Sequence, residues 1–246
     1  MKLIKHYIGW ILLIFIFLAG CSDSSPAIVQ KDMDGNEEES PTLVEQDEDE
    51  NETEEHTMIE FNIENEQIMI ELSQVPILDN YLAQIQDRQQ ALENMKLKKI
   101  DISTKDSLYL LSFSLHDNIG SYLLLDKSGQ GSSLLLADLA TVSDIIPSPD
   151  ASKLLFVFDR QNAENDWQTS KLIIIDVETF TPLGMTNDRD LLFSSFKWPL
   201  ENITWQDNET IVADIPAVEE PTIEELNAWI ESDKTTDQII LNIIVE

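Results

Sequence analysis

Few residue types able to do covalent or metal chemistry occur in this chain of 246 residues. Cys21 is its one cysteine, and its three histidines are His6, His56 and His116. Structural and catalytic zinc sites draw three or four ligands from such residues at characteristic spacings, and no histidine cluster is present here. His116 stands beside Asp117, but without a G-x-S-x-G turn a serine triad has no motif to support it. Ser128-Gly129-Gln130-Gly131-Ser132 is glycine-rich, lacks the lysine of a phosphate-binding loop, and reads as a hairpin turn. Asp32-Met33-Asp34-Gly35-Asn36 places oxygen ligands at alternate positions, yet its glycine comes too early for a calcium loop.

Carboxylates are abundant, with 47 acidic residues against 15 basic ones. A glycosidase needs only two, facing each other across a sugar. Asp159, Glu164 and Asp166, in a loop ending at Trp167, are the candidates for a sugar or cation site, and a solvated hairpin loop is the simpler reading. The net charge of −32 repels nucleic acid and anionic headgroups, which excludes both as partners recognised through charge. No cofactor motif is legible, and the chain reads as non-enzymatic.

The amino terminus carries an address. Lys2 and Lys5 precede an apolar run from Tyr7 to Phe17, and Leu18-Ala19-Gly20 lead into Cys21. The apolar stretch is roughly 14 residues, short of the ~20 that span a bilayer as a helix. Leu18-Ala19-Gly20-Cys21 resembles the lipobox of bacterial lipoproteins. That resemblance implies a signal peptide over 1–20, cleavage before Cys21 and a diacylglyceryl group on its sulfur, with palmitate-type chains in the cell membrane. Two acyl chains hold a protein at a bilayer surface where one binds only marginally. The expected location is the extracytoplasmic face of the membrane. Lipidation would consume the one cysteine, so the exported domain must hold together without a disulfide.

Between Asn36 and Glu55 lie eleven acidic residues, no basic ones, and only Leu43 and Val44 as sizeable apolar side chains. A segment of that composition buries too little surface to offset its ordering entropy, so residues 21–56 are expected to form an acidic disordered tether. Residues 57–246 read as a mainly β domain of short antiparallel strands. Met58 to Leu72 alternates as a two-stranded hairpin, and one amphipathic helix follows from Pro76 through Met95. Strands are expected at 108–113, 122–125, 134–137, 154–158, 172–175, 211–213 and 238–245. The last of these should pair inside the domain, because an open apolar edge invites aggregation. A short inserted helix spans Pro221 to Ser232, with Thr222 and Glu225 as a capping box, and it either covers an edge or presents Trp229 to a partner.

Two segments repeat. Leu135-Leu136-Ala137-Asp138-Leu139-Ala140-Thr141 matches Ile173-Ile174-Ile175-Asp176-Val177-Glu178-Thr179, close to the ~40–45 residue period of propeller blades. Each Asp is expected at a strand end, capping the next turn. Ser148-Pro149-Asp150-Ala151-Ser152-Lys153-Leu154 resembles the W-S-P-D-G-x-x-L turn-and-strand signature of TolB-type propellers, with Ala151 where glycine is usual. A looser copy runs from Trp205 to Ile211. The resemblance covers about 108–213 and implies propeller-like blades. The chain offers about three repeat units against the four to eight blades of a closed ring. An incomplete or small propeller, an open sheet stack or a ring completed by another chain all fit.

Taken together, the sequence leads to a lipid-anchored binding or scaffold module for an envelope protein or component. The alternatives are an envelope carbohydrate hydrolase using two carboxylates and a shortened propeller with no independent activity.

Overall fold

The computed structural model describes residues 28–32, 41–47, 55–63, 66–129, 131–161 and 167–244. The fold is mainly β with antiparallel sheets. Its first sheet holds β1 (Ile28–Asp32), β2 (Thr42–Asp47), β3 (Glu55–Ile63) and β4 (Glu66–Glu71), in the order β1-β4-β3-β2. The expected hairpin is β3–β4, in which Ile59 faces Ile70 and Phe61 faces Ile68, all four buried.

β1 and β2 lie within the stretch expected to be disordered tether, so that expectation is corrected for residues 28–32 and 42–47. Both are edge strands and need few inward apolar groups. Ile28 is buried and Leu43 packs on the core, while the central hairpin supplies the remaining backbone partners. Averaging composition over the acidic window conceals this, because a strand pairs through its backbone whatever its outward side chains are.

The remaining strands are β5 (Lys96–Lys99), β6 (Leu108–His116), β7 (Ile119–Asp126), β8 (Ser132–Pro147), β9 (Lys153–Gln161), β10 (Gln168–Asp176), β11 (Thr181–Thr186), β12 (Glu201–Trp205), β13 (Thr210–Pro216) and β14 (Thr236–Ile244). They form one ladder in the order β12-β13-β14-β11-β10-β9-β8-β7-β6-β5. All seven expected strands are present. β5, β11 and β12, which the sequence reading missed, are short and carry few consecutive apolar residues. β14 lies between β13 and β11, so the apolar carboxy-terminal strand is paired on both sides as expected.

Two strands change partners partway. β8 pairs with β7 through Ala140 and with β9 from Thr141 onward, and β11 pairs first with β10 and then, from Gly184, with β14. The ladder therefore folds into stacked units, and alternation along each strand distributes side chains between layers. Tyr109, Leu111, Leu123 and Leu125 face the first sheet. Leu108, Leu110, Tyr122 and Leu124 meet Leu154, Phe156 and Phe158. Leu155, Val157, Leu172 and Ile174 meet Ile211, Ala213, Ile239 and Leu241.

The single helix expected after Pro76 is two helices, α1 (Pro76–Gln84) and α2 (Arg88–Glu93). The break falls at Ile85-Gln86-Asp87, where Ile85 is extended and the Asp87 carboxylate accepts from the Gln90 N–H at 3.0 Å, starting a new helix. Arg88 Nε donates to the Leu82 carbonyl, capping the helix it follows. The apolar stripe survives the break, and Leu78, Leu82, Leu92 and Met95 all join the first core.

The bend of β8 has its own chemistry. Two register shifts against β7 leave carbonyls outside the ladder between Leu135 and Ala140, where Leu139 adopts a positive φ of 49°. Lys171 Nζ donates to the Leu136 carbonyl at 2.8 Å, and Arg160 donates to the Asp138 and Leu139 carbonyls at 2.6 and 3.0 Å. Asp138 therefore ends no strand, contrary to the repeat-based expectation, and its carboxylate accepts from the Ser121 hydroxyl. Asp176 does cap its turn, accepting from the Thr179 N–H and hydroxyl.

Three turns that precede β6, β9 and β13 meet at one end of the stack. Thr104 Oγ1 donates to the Ala151 carbonyl at 2.6 Å, and the Asp150 N–H donates to Asn208 Oδ1 at 3.0 Å. Ala151 has φ +56°, in the left-handed region where a Cβ is crowded, which is why glycine is usual there. Replacing Ala151 with glycine should stabilise the fold by about 0.5–1 kcal/mol. Urea denaturation, read as an upward shift in midpoint at unchanged slope, checks it.

Candidate functional site

The inserted helix α3 (Ile223–Ile230) and the strand ends beside it enclose a recess of about 310 Å3. Thr222 caps the helix by accepting from the Glu225 N–H, while the Glu225 carboxylate reaches the Glu220 N–H instead of completing the expected box. Trp229 and Trp167, far apart in the chain, line this recess together with Gln161, Gln168, Glu201 and Lys234. Both indoles are engaged within the fold. Trp167 Nε1 donates to Asn227 Oδ1 at 2.8 Å, Trp229 Nε1 donates to the Thr235 carbonyl at 2.7 Å, and the residues are only 9% and 6% exposed. The helix thus packs Trp229 inward beside the ends of β9, β10 and β12 and does not hold it out to solvent.

The sequence candidates are placed as follows. Asp159 lies on β9, where its carboxylate accepts from Ser170 Oγ at 2.6 Å and Gln168 Nε2 at 3.0 Å, so its acceptor positions serve the β9–β10 hairpin. Glu164 and Asp166 lie outside the described residues, as do Cys21 with its lipobox and Met33 to Asn36. His116 and Asp117 sit 3.5 Å apart at the tip of the β6–β7 hairpin, with side chains 94% and 88% exposed. A tip that open supplies no walls for a substrate. Asp117 and Asn118 both have positive φ, as a tight two-residue hairpin demands. Ser128 and Gly129 stand in the β7–β8 turn, as expected, with the Ser128 N–H and hydroxyl donating to Asp126. Among the described residues no three histidine, cysteine or carboxylate side chains converge as a metal site, and no helix is long and apolar enough to cross a membrane.

The electrostatics are those of ties and turns. Burial would raise the Asp126 carboxyl, but Lys105 Nζ at 2.6 Å, Ser107 and Ser128 outweigh it and hold the group below its usual value. Glu66 follows the same pattern, with burial opposed by Tyr109 and Lys99, and this carboxylate ties the first sheet to the ladder. In the exposed turns the Glu209 N–H and the Thr210 hydroxyl lower Asp207. The Ser152 N–H and the Ser148 and Ser152 hydroxyls bring Asp150 down to about 2. A general acid at neutral pH needs the opposite shift. The signal that could have located these groups is the Ser-Pro-Asp turn itself, whose aspartate serves the next amides.

For Asp150 the folded value lies below the unfolded one, so its contribution is complete above about pH 4 and fades as pH falls through about 2. The stability gap between the parent chain and Asp150→Asn, followed by urea denaturation at stepped pH, should be constant at neutral pH and close below pH 2. A gap that persists unchanged in strong acid would contradict this assignment.

Comparison with protein families, with curated proteins and with solved structures matches nothing.

Proposed function

We propose that this chain is an exported lipoprotein, held on the extracytoplasmic face of a membrane through acylated Cys21, whose β domain binds an envelope partner without catalysing a reaction. The anchor half of the reading rests on Leu18-Ala19-Gly20-Cys21 behind a basic and apolar leader. The binding half rests on one observation about the end of the stack. β14 buries Ile239, Leu241 and Ile243 but leaves Ile240 and Ile244 nearly half exposed, at 47% and 48%. Ile240 and Ile244 stand on the outward side of a terminal sheet, with Asn242 between them, and such exposed apolar side chains are where a further layer would pack. The depressed carboxyls of Asp126, Asp150 and Asp207, each committed to a turn or tie, also fit a scaffold better than an acid–base catalyst.

In this reading the stacked units are kin to propeller blades that stop short of a ring. Supporting it are the repeated turn before β6, β9 and β13 and the layer-upon-layer burial of β6, β7, β9 and β10. The ladder ends at β5 and β12, and neither edge meets the other.

Two measurements test the proposal. Cys21→Ser should move the protein from the membrane fraction to the soluble one and abolish labelling by radioactive palmitate; unchanged fractionation would refute the anchor. A photo-crosslinking amino acid at Ile240 in the native envelope should trap one reproducible partner. Recovery of free lipoprotein alone would refute the binding role.

A further inference from the structure

A second concavity lies where the ladder folds back on itself. The amino-terminal half of β8 approaches β10, β11 and the loop at 191–194, leaving a cleft of about 420 Å3. That is within the range of small-molecule sites, roughly 300–1,000 Å3. Its walls include Leu135, Leu136, Ile173, Leu183 and Leu192. Leu135 and Leu192 are 43% and 60% exposed, so apolar side chains stand open to solvent along walls that are otherwise mixed in polarity.

One charge enters these walls. Lys171 lines the cleft and donates one proton to the Leu136 carbonyl. An ammonium carries three donors, so two are left for another acceptor. Its surroundings are out of character for so acidic a chain. Burial, joined by the guanidinium of Arg160, another cation, pushes the Lys171 ammonium below its usual value. Arg160 itself is taken up by the carbonyls of Asp138 and Leu139 and lies 4.0 Å from the centre of the Phe196 ring. The ion pairs among the described residues involve Lys99, Lys105, His116 and Arg189, and neither Lys171 nor Arg160. Lys171 is thus the one charged side chain lining a cleft whose walls carry several leucines, no ion pair among the described residues engages it, and that combination complements a ligand with an anionic head and a hydrocarbon tail. The volume suits one acyl chain of moderate length and not the two chains of a phospholipid.

We propose that the cleft between β8 and β10–β11 binds a free single-chain carboxylate amphiphile of the fatty-acid type, its carboxylate on Lys171 and its tail between Leu135 and Leu192. This site is independent of the anchor and of the Ile240 face, so its failure would leave the lipoprotein reading untouched.

The test uses the full chain in nanodiscs of zwitterionic lipid and a ten-carbon fatty acid bearing a photoreactive diazirine near the tail end. Labelled peptides, mapped by mass spectrometry, should cover residues 134–136 and 183–194. Decanoate should compete at about tenfold lower concentration than decan-1-ol, the ratio expected of one charge-assisted hydrogen bond. Decyltrimethylammonium should compete least. Nanodiscs containing anionic phospholipid should not compete, which separates a free fatty acid from a bilayer lipid. Lys171→Met should erase the advantage of decanoate over the alcohol. Because that substitution also frees the Leu136 carbonyl, Leu192→Glu at an exposed position serves as a second variant, and it should remove the labelling in a folded protein. Labelling scattered over the chain, equal competition by the three amphiphiles, or labelling unaffected by Leu192→Glu would each overturn the proposal.

Discussion

Four strands with almost no face toward water hold this protein together. In β6, β7, β9 and β10, successive side chains point into different cores, so one sheet wall serves two layers. Leu154, Leu155, Phe156, Val157 and Phe158 are consecutive and all buried, three toward one neighbour and two toward the other. At about 1.5–3 kcal/mol per large apolar side chain, that run alone contributes roughly 10 kcal/mol of burial, an upper bound comparable to the net stability of a whole domain. With no disulfide in the described fold, this shared burial does what cross-links do in many exported domains.

Sharing walls requires the chain to turn between layers without orphaning its backbone. β8 does this by slipping register twice, which leaves a set of carbonyls that no strand accepts. Lys171 and Arg160 reach back from β10 and β9 to take them. The Leu136 carbonyl taken by Lys171 is part-buried and those of Asp138 and Leu139 taken by Arg160 are exposed, so two of the chain's scarce cations serve the backbone of this bend and no ion pair among the described residues. Lys171 also lines the leucine-walled cleft and is the charged side chain in it. Structural necessity and a candidate binding site thus have a common origin in one bend.

At the opposite extreme, the terminal unit has a single buried face. β14 alternates buried and exposed along its length, although its sequence is as apolar as that of β9. The mismatch between an apolar strand and a one-sided environment leaves Ile240 and Ile244 on its open side, with the exposed Asn242 between them.

Local chemistry determined much of this protein by itself: the single cysteine, the β class, the positions of the longer strands and the caps at Asp150, Asp176 and Thr222. Each depends on neighbours within a few residues, as in a turn aspartate reaching the next amide or an apolar run long enough for a strand. Tertiary structure alone decided the rest. An apolar run reads the same whether one face or two are covered, so a wall position such as Leu155 and an open one such as Ile240 are indistinguishable along the chain. Parts of residues 21–56 became β1 and β2 because the backbone of a neighbouring hairpin accepted them. Trp167 with Trp229, and Lys171 with Leu192, became neighbours only once the ladder folded, since no spacing rule links residues brought together by stacked sheets.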